Sequence, residues 1–144
     1  MSDVRNILER SQTVAVIGAS RDPKKDAGRI PLELKERGFR IFPVNPKSDE
    51  IIGEKAYPSL GDIPEAIDVV NVFRPAEEAP DVARQAVAIG AKVLWLQSGI
   101  RSTEARRIAE EGGLGYVEDR CIAVESNRFN IRKSQTDSPR EGTL

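Results

Sequence analysis

Thr13-Val14-Ala15-Val16-Ile17-Gly18-Ala19-Ser20-Arg21 is the stretch on which the fold turns. Its first five residues are nearly all apolar and mostly β-branched, which suits a strand buried on both faces of a parallel sheet. Gly18 ends the run and permits a tight exit. Upstream, Ser2 or Asp3 is placed to cap a short helix over Val4 to Arg10. Downstream, a loop from Ala19 to Arg29 leads to a helix from Ile30 to Arg37, with Pro31 in its first turn and Gly38 as its stop.

The same alternation continues along the chain. Arg40-Ile41-Phe42-Pro43-Val44 reads as a second strand, although Pro43 cannot donate to a ladder. Asn45 to Pro64 is turn-rich, with Ile51-Ile52 as a candidate edge strand. Further strands are expected at Ile67–Phe73, Lys92–Leu96 and Tyr116–Glu118. Helices are expected at Pro80–Ile89, from a cap near Ser102 to Glu111, and as a final turn over Ile122–Phe129. Strands alternating with helices indicate an α/β fold: a Rossmann-like, doubly wound parallel sheet of about five strands with helices on both faces. We expect a single domain over residues 1–131 and a disordered tail over 132–144, where Lys, Ser, Gln, Thr, Asp, Pro and Gly dominate.

Two strand orders remain open. If Ile51-Ile52 joins the sheet, the order is the six-element dinucleotide version; if not, it is flavodoxin-like. Both place a ligand crevice beyond the carboxyl ends of the strands, between Thr13–Ile17 and Ile67–Phe73.

The residues at those ends form the candidate site. Gly18, Ala19, Ser20 and Arg21 follow the first strand, with Lys25 further along the loop. Asn45 and Lys47 follow the second strand, Phe73, Arg74 and Pro75 the third, and Gln97 and Ser98 the fourth. The last runs into Asp119-Arg120-Cys121. Four of the five ends carry a nearby basic residue, Arg21, Lys47, Arg74 and Arg120, an arrangement suited to phosphate. The glycines do not form G-x-G-x-x-G, since Gly28 lies ten residues after Gly18. NAD sites want a carboxylate after the second strand; Asn45 and Lys47 favour a phosphorylated ribose instead, as in NADP or coenzyme A.

Composition narrows the chemistry. There is no histidine, so Ser-His, Cys-His and histidine-metal sites are excluded, and one cysteine excludes thiolate clusters and an internal disulfide. No acidic cluster argues for Mg²⁺. The 22 basic and 23 acidic side chains nearly cancel, so no nucleic-acid face is indicated. No apolar run suits a membrane span or a signal peptide, and the expected location is the cytoplasm.

Taken together, Val14–Ser20, Val44-Asn45-Pro46-Lys47, Tyr57-Pro58-Ser59-Leu60 with Asp62-Ile63-Pro64, Asp68–Arg74, Trp95-Leu96-Gln97 and Asp119-Arg120-Cys121 resemble the small stand-alone CoA-binding domain family. That family is similar to the N-terminal CoA-binding domain of the succinyl-CoA synthetase α subunit. The resemblance covers about Gln12 to Phe129. It implies that Ser20 and Arg21 lie on a phosphate-contacting loop and that Lys47 is the lysine after the second strand. It further implies that Phe73 and Pro75 flank the adenine and pantetheine, and that Leu96, Gln97 and Ser98 belong to the segment at the end of the fourth strand. The synthetase's phosphorylated histidine belongs to another domain, this sequence has no histidine, and Ser98 stands where the synthetase has glutamate, so ligase chemistry is not implied.

The expected ligand is therefore coenzyme A or an acyl-CoA, bound without catalysis by a module that senses it or presents it to a protein partner the sequence does not identify. An NADP-dependent oxidoreductase fragment is the alternative, and a scaffold with a vestigial crevice is the third. Cys121 reads either as a reactive thiol at the rim or, more ordinarily, as a small buried hydrophobe. Asp119 and Arg120 are candidates to pair with each other, Trp95 is expected in the core, and Phe73 is the candidate to stack on adenine.

Overall fold

The computed structural model describes residues 2–134. Five parallel strands form one sheet: β1 (Thr13–Ile17), β2 (Arg40–Val44), β5 (Val69–Val72), β6 (Val93–Leu96) and β7 (Gly115–Val117), in the order β2-β1-β5-β6-β7. Helices α1 (Val4–Arg10), α2 (Asp26–Glu36) and α5 (Ile122–Arg128) cover one face; α3 (Ala79–Ala88) and α4 (Thr103–Glu111) cover the other. This is the Rossmann-like, doubly wound single domain expected from the alternation of apolar runs. Successive strand residues supply opposite faces. Val14, Val16, Val69 and Trp95 pack with Leu8, Leu34 and Ile122, whereas Ala15, Val70, Val72 and Leu94 pack with Ala83, Ala86, Ala105 and Ala109. The alanines let α3 and α4 lie close over the sheet.

The strand order is the flavodoxin-like one. Ile51 does not join the main sheet: β3 (Glu50–Ile51) and β4 (Glu54–Lys55) form a separate antiparallel hairpin. Its turn places both Ile52 and Gly53 at positive φ, 52° and 76°. The Lys35 ammonium donates to the Ile52 carbonyl at 2.7 Å and ties the hairpin to α2. The outer edge of β2 is covered at its carboxyl end by Tyr57, which donates to the Pro43 carbonyl and accepts from the Asn45 N–H, both at 2.9 Å. Pro43 thus stands on an edge strand, where a missing donor is tolerated.

Helix α2 begins at Asp26, four residues before the expected Ile30, so Pro31 is inside the helix rather than in its first turn. A proline there cannot donate to the carbonyl four residues back, Ala27. The Ser20 N–H takes that carbonyl instead, at 3.0 Å. The vacancy created by Pro31 thereby anchors the loop that leaves β1. Gly28 permits the close approach, since a Cβ there would run into the backbone of Ser20 and Asp22.

The expected tail falls largely on residues 135–144, outside the described residues. Of the part described, Lys133 is docked: its N–H donates to the Arg37 carbonyl at 2.6 Å and its ammonium to the Glu9 carbonyl at 2.8 Å.

Candidate functional site

The rim of the sheet where the strands end is shaped by hydrogen bonds between neighbouring exits. Gly18, at φ 86°, continues the β1–β2 ladder by donating to Val44 O at 3.1 Å. Asn45 then clips the two exits together. Its Nδ2 donates to the buried Ala19 carbonyl at 2.9 Å, and its Oδ1 accepts the Lys47 N–H at 2.7 Å. That Asx turn fixes the backbone at Lys47, which lines the cavity over these exits. The Lys47 ammonium is in no ion pair among the described residues.

Above these exits lies a cavity of about 470 Å³. Ile17 and Gly18 of the β1 end, Val44 to Lys47 of the β2 end, Pro58 to Leu60, and Arg74, Glu78 and Gln85 line it. The apolar part comes from Ile17, Val44, Leu60 and the two prolines, Pro46 and Pro58. The charged part comes from Lys47, Arg74 and Glu78, which sum to one positive charge. The Arg74 guanidinium meets Glu78 with two hydrogen bonds, Nε to Oε1 at 3.1 Å and Nη2 to Oε2 at 2.8 Å. Those bonds hold the Glu78 carboxyl below its usual range against a small opposing effect of burial. An apolar floor with a few convergent polar groups is the usual make-up of a small-molecule site.

The structure brings four of the residues expected at the site to this cavity: Gly18, Asn45, Lys47 and Arg74. The others stand elsewhere. Ala19 is buried, and Ser20 Oγ accepts the Asp22 N–H at 3.0 Å, bracing its own loop. Arg21 and Lys25 are exposed and are not among the residues that line the cavity, and Asp26 pairs with Arg29 at 2.6 Å. Phe73 packs on the α5 face beside the core there, because successive residues leave β5 on opposite faces; Arg74 accordingly falls on the cavity side. Pro75 is exposed and opens a 3₁₀ turn over Ala76–Glu78. Gln97 is turned inward and 5% exposed, with its Oε1 accepting from Asn71 Nδ2 at 3.1 Å and from the Ile122 N–H at 2.9 Å.

Ser98 lines a second cleft of about 560 Å³ at the far end of the same rim, with Arg101, Asp119, Arg120, Cys121 and Glu125. Asp119 does not pair with Arg120 as the sequence suggested. It accepts the Gly99 N–H at 2.7 Å and the Arg101 fork at 3.1 and 2.7 Å, while Arg120 lies 3.7 Å from Glu125. The Gly99 N–H, then Arg101, hold the Asp119 carboxyl below its ordinary value. Cys121 is half-buried and packs beside the α5-face core. Trp95 is fully buried, its Nε1–H donating to the Arg120 carbonyl at 2.8 Å.

Sequence reasoning did not assign Pro58, Ser59, Glu78 or Gln85 to the site. The first two follow Tyr57, whose pairing with β2 carries them to the rim. Glu78 was readable only as the residue four positions after Arg74, a spacing that lets the two meet on one turn. Among the described residues no group of three acidic or cysteine side chains is placed to hold a metal, and no helix is long and apolar enough to cross a membrane.

Residues 12–127 match the family described as CoA binding domain. The chain belongs to that family. Within reach of the CoA binding domain, YneT of Bacillus subtilis is 38% identical over 123 residues, covering 85% of this chain and 91% of its own. The ADP-forming acetate–CoA ligase II of Archaeoglobus fulgidus is 40% identical over 133 residues, 90% of this chain but 18% of the ligase. A solved structure of a protein from Pyrococcus horikoshii superposes with a TM-score of 0.86 at 41% identity, covering 89% of this chain and 90% of that one. The CoA binding domain thus occurs both as nearly a whole chain and as a small part of a much longer enzyme.

Proposed function

We propose that the chain binds coenzyme A or an acyl-CoA in the cavity over β1 and β2, and that it performs no chemistry on it. The observation that carries this reading is the convergence of Gly18, Lys47 and Arg74 from three separate strand ends on one partly apolar cavity. Family membership supplies the ligand class. In this reading the Lys47 ammonium meets a phosphate, Arg74 meets another anionic oxygen, and the Ile17–Val44–Leu60 surface receives the apolar part of the nucleotide. The activity of the ligase relative is not carried over, since the chain corresponds to 18% of that protein. A reducing, cytoplasmic setting accords with one unpaired, half-buried cysteine.

Isothermal titration with coenzyme A, dephospho-coenzyme A, NADP and NAD tests the proposal. Coenzyme A is expected to bind most tightly. Loss of its 3′-phosphate, or Lys47→Ala, is expected to weaken it about tenfold, the equivalent of one charge-assisted hydrogen bond. A clear preference for NADP would replace coenzyme A with a redox nucleotide, and no binding of any of the four would refute a nucleotide site.

A further inference from the structure

Arg74 is held twice over. An added Cβ at Gly18 would lie 2.7 Å from its Cδ and 3.1 Å from its Cγ, so the aliphatic stem rests directly on the glycine backbone. The guanidinium is then gripped along its Nε–Nη2 side by both oxygens of Glu78, at 3.1 and 2.8 Å. An arginine presents more than one edge to oxyanions. With this side occupied, the end bearing Nη1 is engaged by no group among the described residues. Both side chains are about half exposed, at 49% and 47%, so the pair contributes little to holding the fold together. A carboxylate lining a cavity that takes phosphate is unfavourable by charge alone, which calls for another reason for its presence.

We propose that Glu78 is a positioning residue for ligand binding: it fixes the Arg74 guanidinium in one orientation over the cavity, so that a phosphate oxygen meets an already ordered Nη1 end. This rests on the nucleotide-binding reading above. A long arginine side chain loses much rotameric freedom when it grips a ligand, and ordering it in the free protein removes that loss from binding. Charge and positioning predict opposite signs for one substitution. Removing the Glu78 charge tightens the binding of an anion if only Coulomb attraction matters, and weakens it if orientation of Arg74 matters more.

The test is calorimetric titration of coenzyme A into the wild type, Glu78→Gln, Arg74→Lys and the double variant at one fixed salt concentration. Glu78→Gln is expected to bind about fivefold more weakly despite the lost negative charge. In the Arg74→Lys background, where the fork is absent, the same change is expected to have no effect or to tighten binding. Wild-type binding with Glu78→Gln equal to or tighter than wild type overturns the role of Glu78 alone. An equal loss in both backgrounds also overturns it, since Glu78 would then act without Arg74. A wild type that does not bind coenzyme A overturns the underlying binding reading and this inference with it.

Discussion

Replacing Gly28 by alanine is expected to destabilise the protein, against the usual effect of that change within a helix. Alanine is favoured over glycine in a helix interior by about 1 kcal/mol, so helix propensity predicts a gain. Here the new Cβ would stand 2.9 Å from both the Asp22 carbonyl carbon and the Ser20 oxygen, and closer still to the Asp22 oxygen. All three are backbone atoms, so no side chain can rotate out of the way. The loop must lift, and the Ser20 N–H then leaves the Ala27 carbonyl, which it meets at 3.0 Å. Pro31 cannot take that carbonyl back. Losing the bond and leaving the carbonyl poorly paired costs roughly 2–4 kcal/mol, against the gain of about 1. The net loss of about 2 kcal/mol corresponds to a fall in Tm of roughly 6–8 °C for a domain of this size. Urea titration and a thermal melt read it directly. A variant as stable as the wild type would refute the close approach of loop to helix and the substitution of Ser20 for Pro31's missing donor.

Two further outcomes follow from the same kind of reasoning. Arg37 is nearly buried and donates to the Ile131 carbonyl and to Asn127 Oδ1, both at 3.0 Å, fastening the chain after α5 to the end of α2; Arg37→Ala is expected to lower stability by roughly 2–4 kcal/mol in chemical denaturation, and a loss below about 1 kcal/mol would contradict the clamp. Asp119 has a folded-state pKa depressed by the Gly99 N–H and by Arg101, so its contribution to stability is present above the unfolded value near 3.9 and disappears as pH falls through the lower folded value. An NMR titration is expected to place its midpoint below an ordinary aspartate and to move it upward in Arg101→Ala; an unmoved midpoint would show the pair to be inconsequential.

Four of the twelve residues expected at the candidate site line the cavity, and these were readable one by one though not as an assembly. Gly18, Asn45, Lys47 and Arg74 each stand just past an apolar run, and a parallel sheet brings all such positions to one edge. Phe73 and Gln97 stand at equally suggestive places, yet Phe73 leaves β5 on the α5 face and Gln97 serves the joint between β5, β6 and α5. Phe73 follows the alternation that puts Val72 on the opposite face, and which of the two faces carries the cavity is set by the segments packed there rather than by the strand itself. The start of α2 was misread for a related reason. Pro31 signals a first turn only when nothing else supplies its missing bond, and the donor came from Ser20, eleven positions earlier in the chain.

Composition and the spacing of apolar runs alone determined an α/β chain with parallel strands, a basic rim and no histidine chemistry, because burial on two faces and residue type are properties of single segments. Tertiary structure alone decided that Ile51 stays out of the sheet and that Tyr57 carries Pro58 and Ser59 to the cavity. Those outcomes depend on which segments become neighbours, and neighbours are chosen by packing across the whole fold.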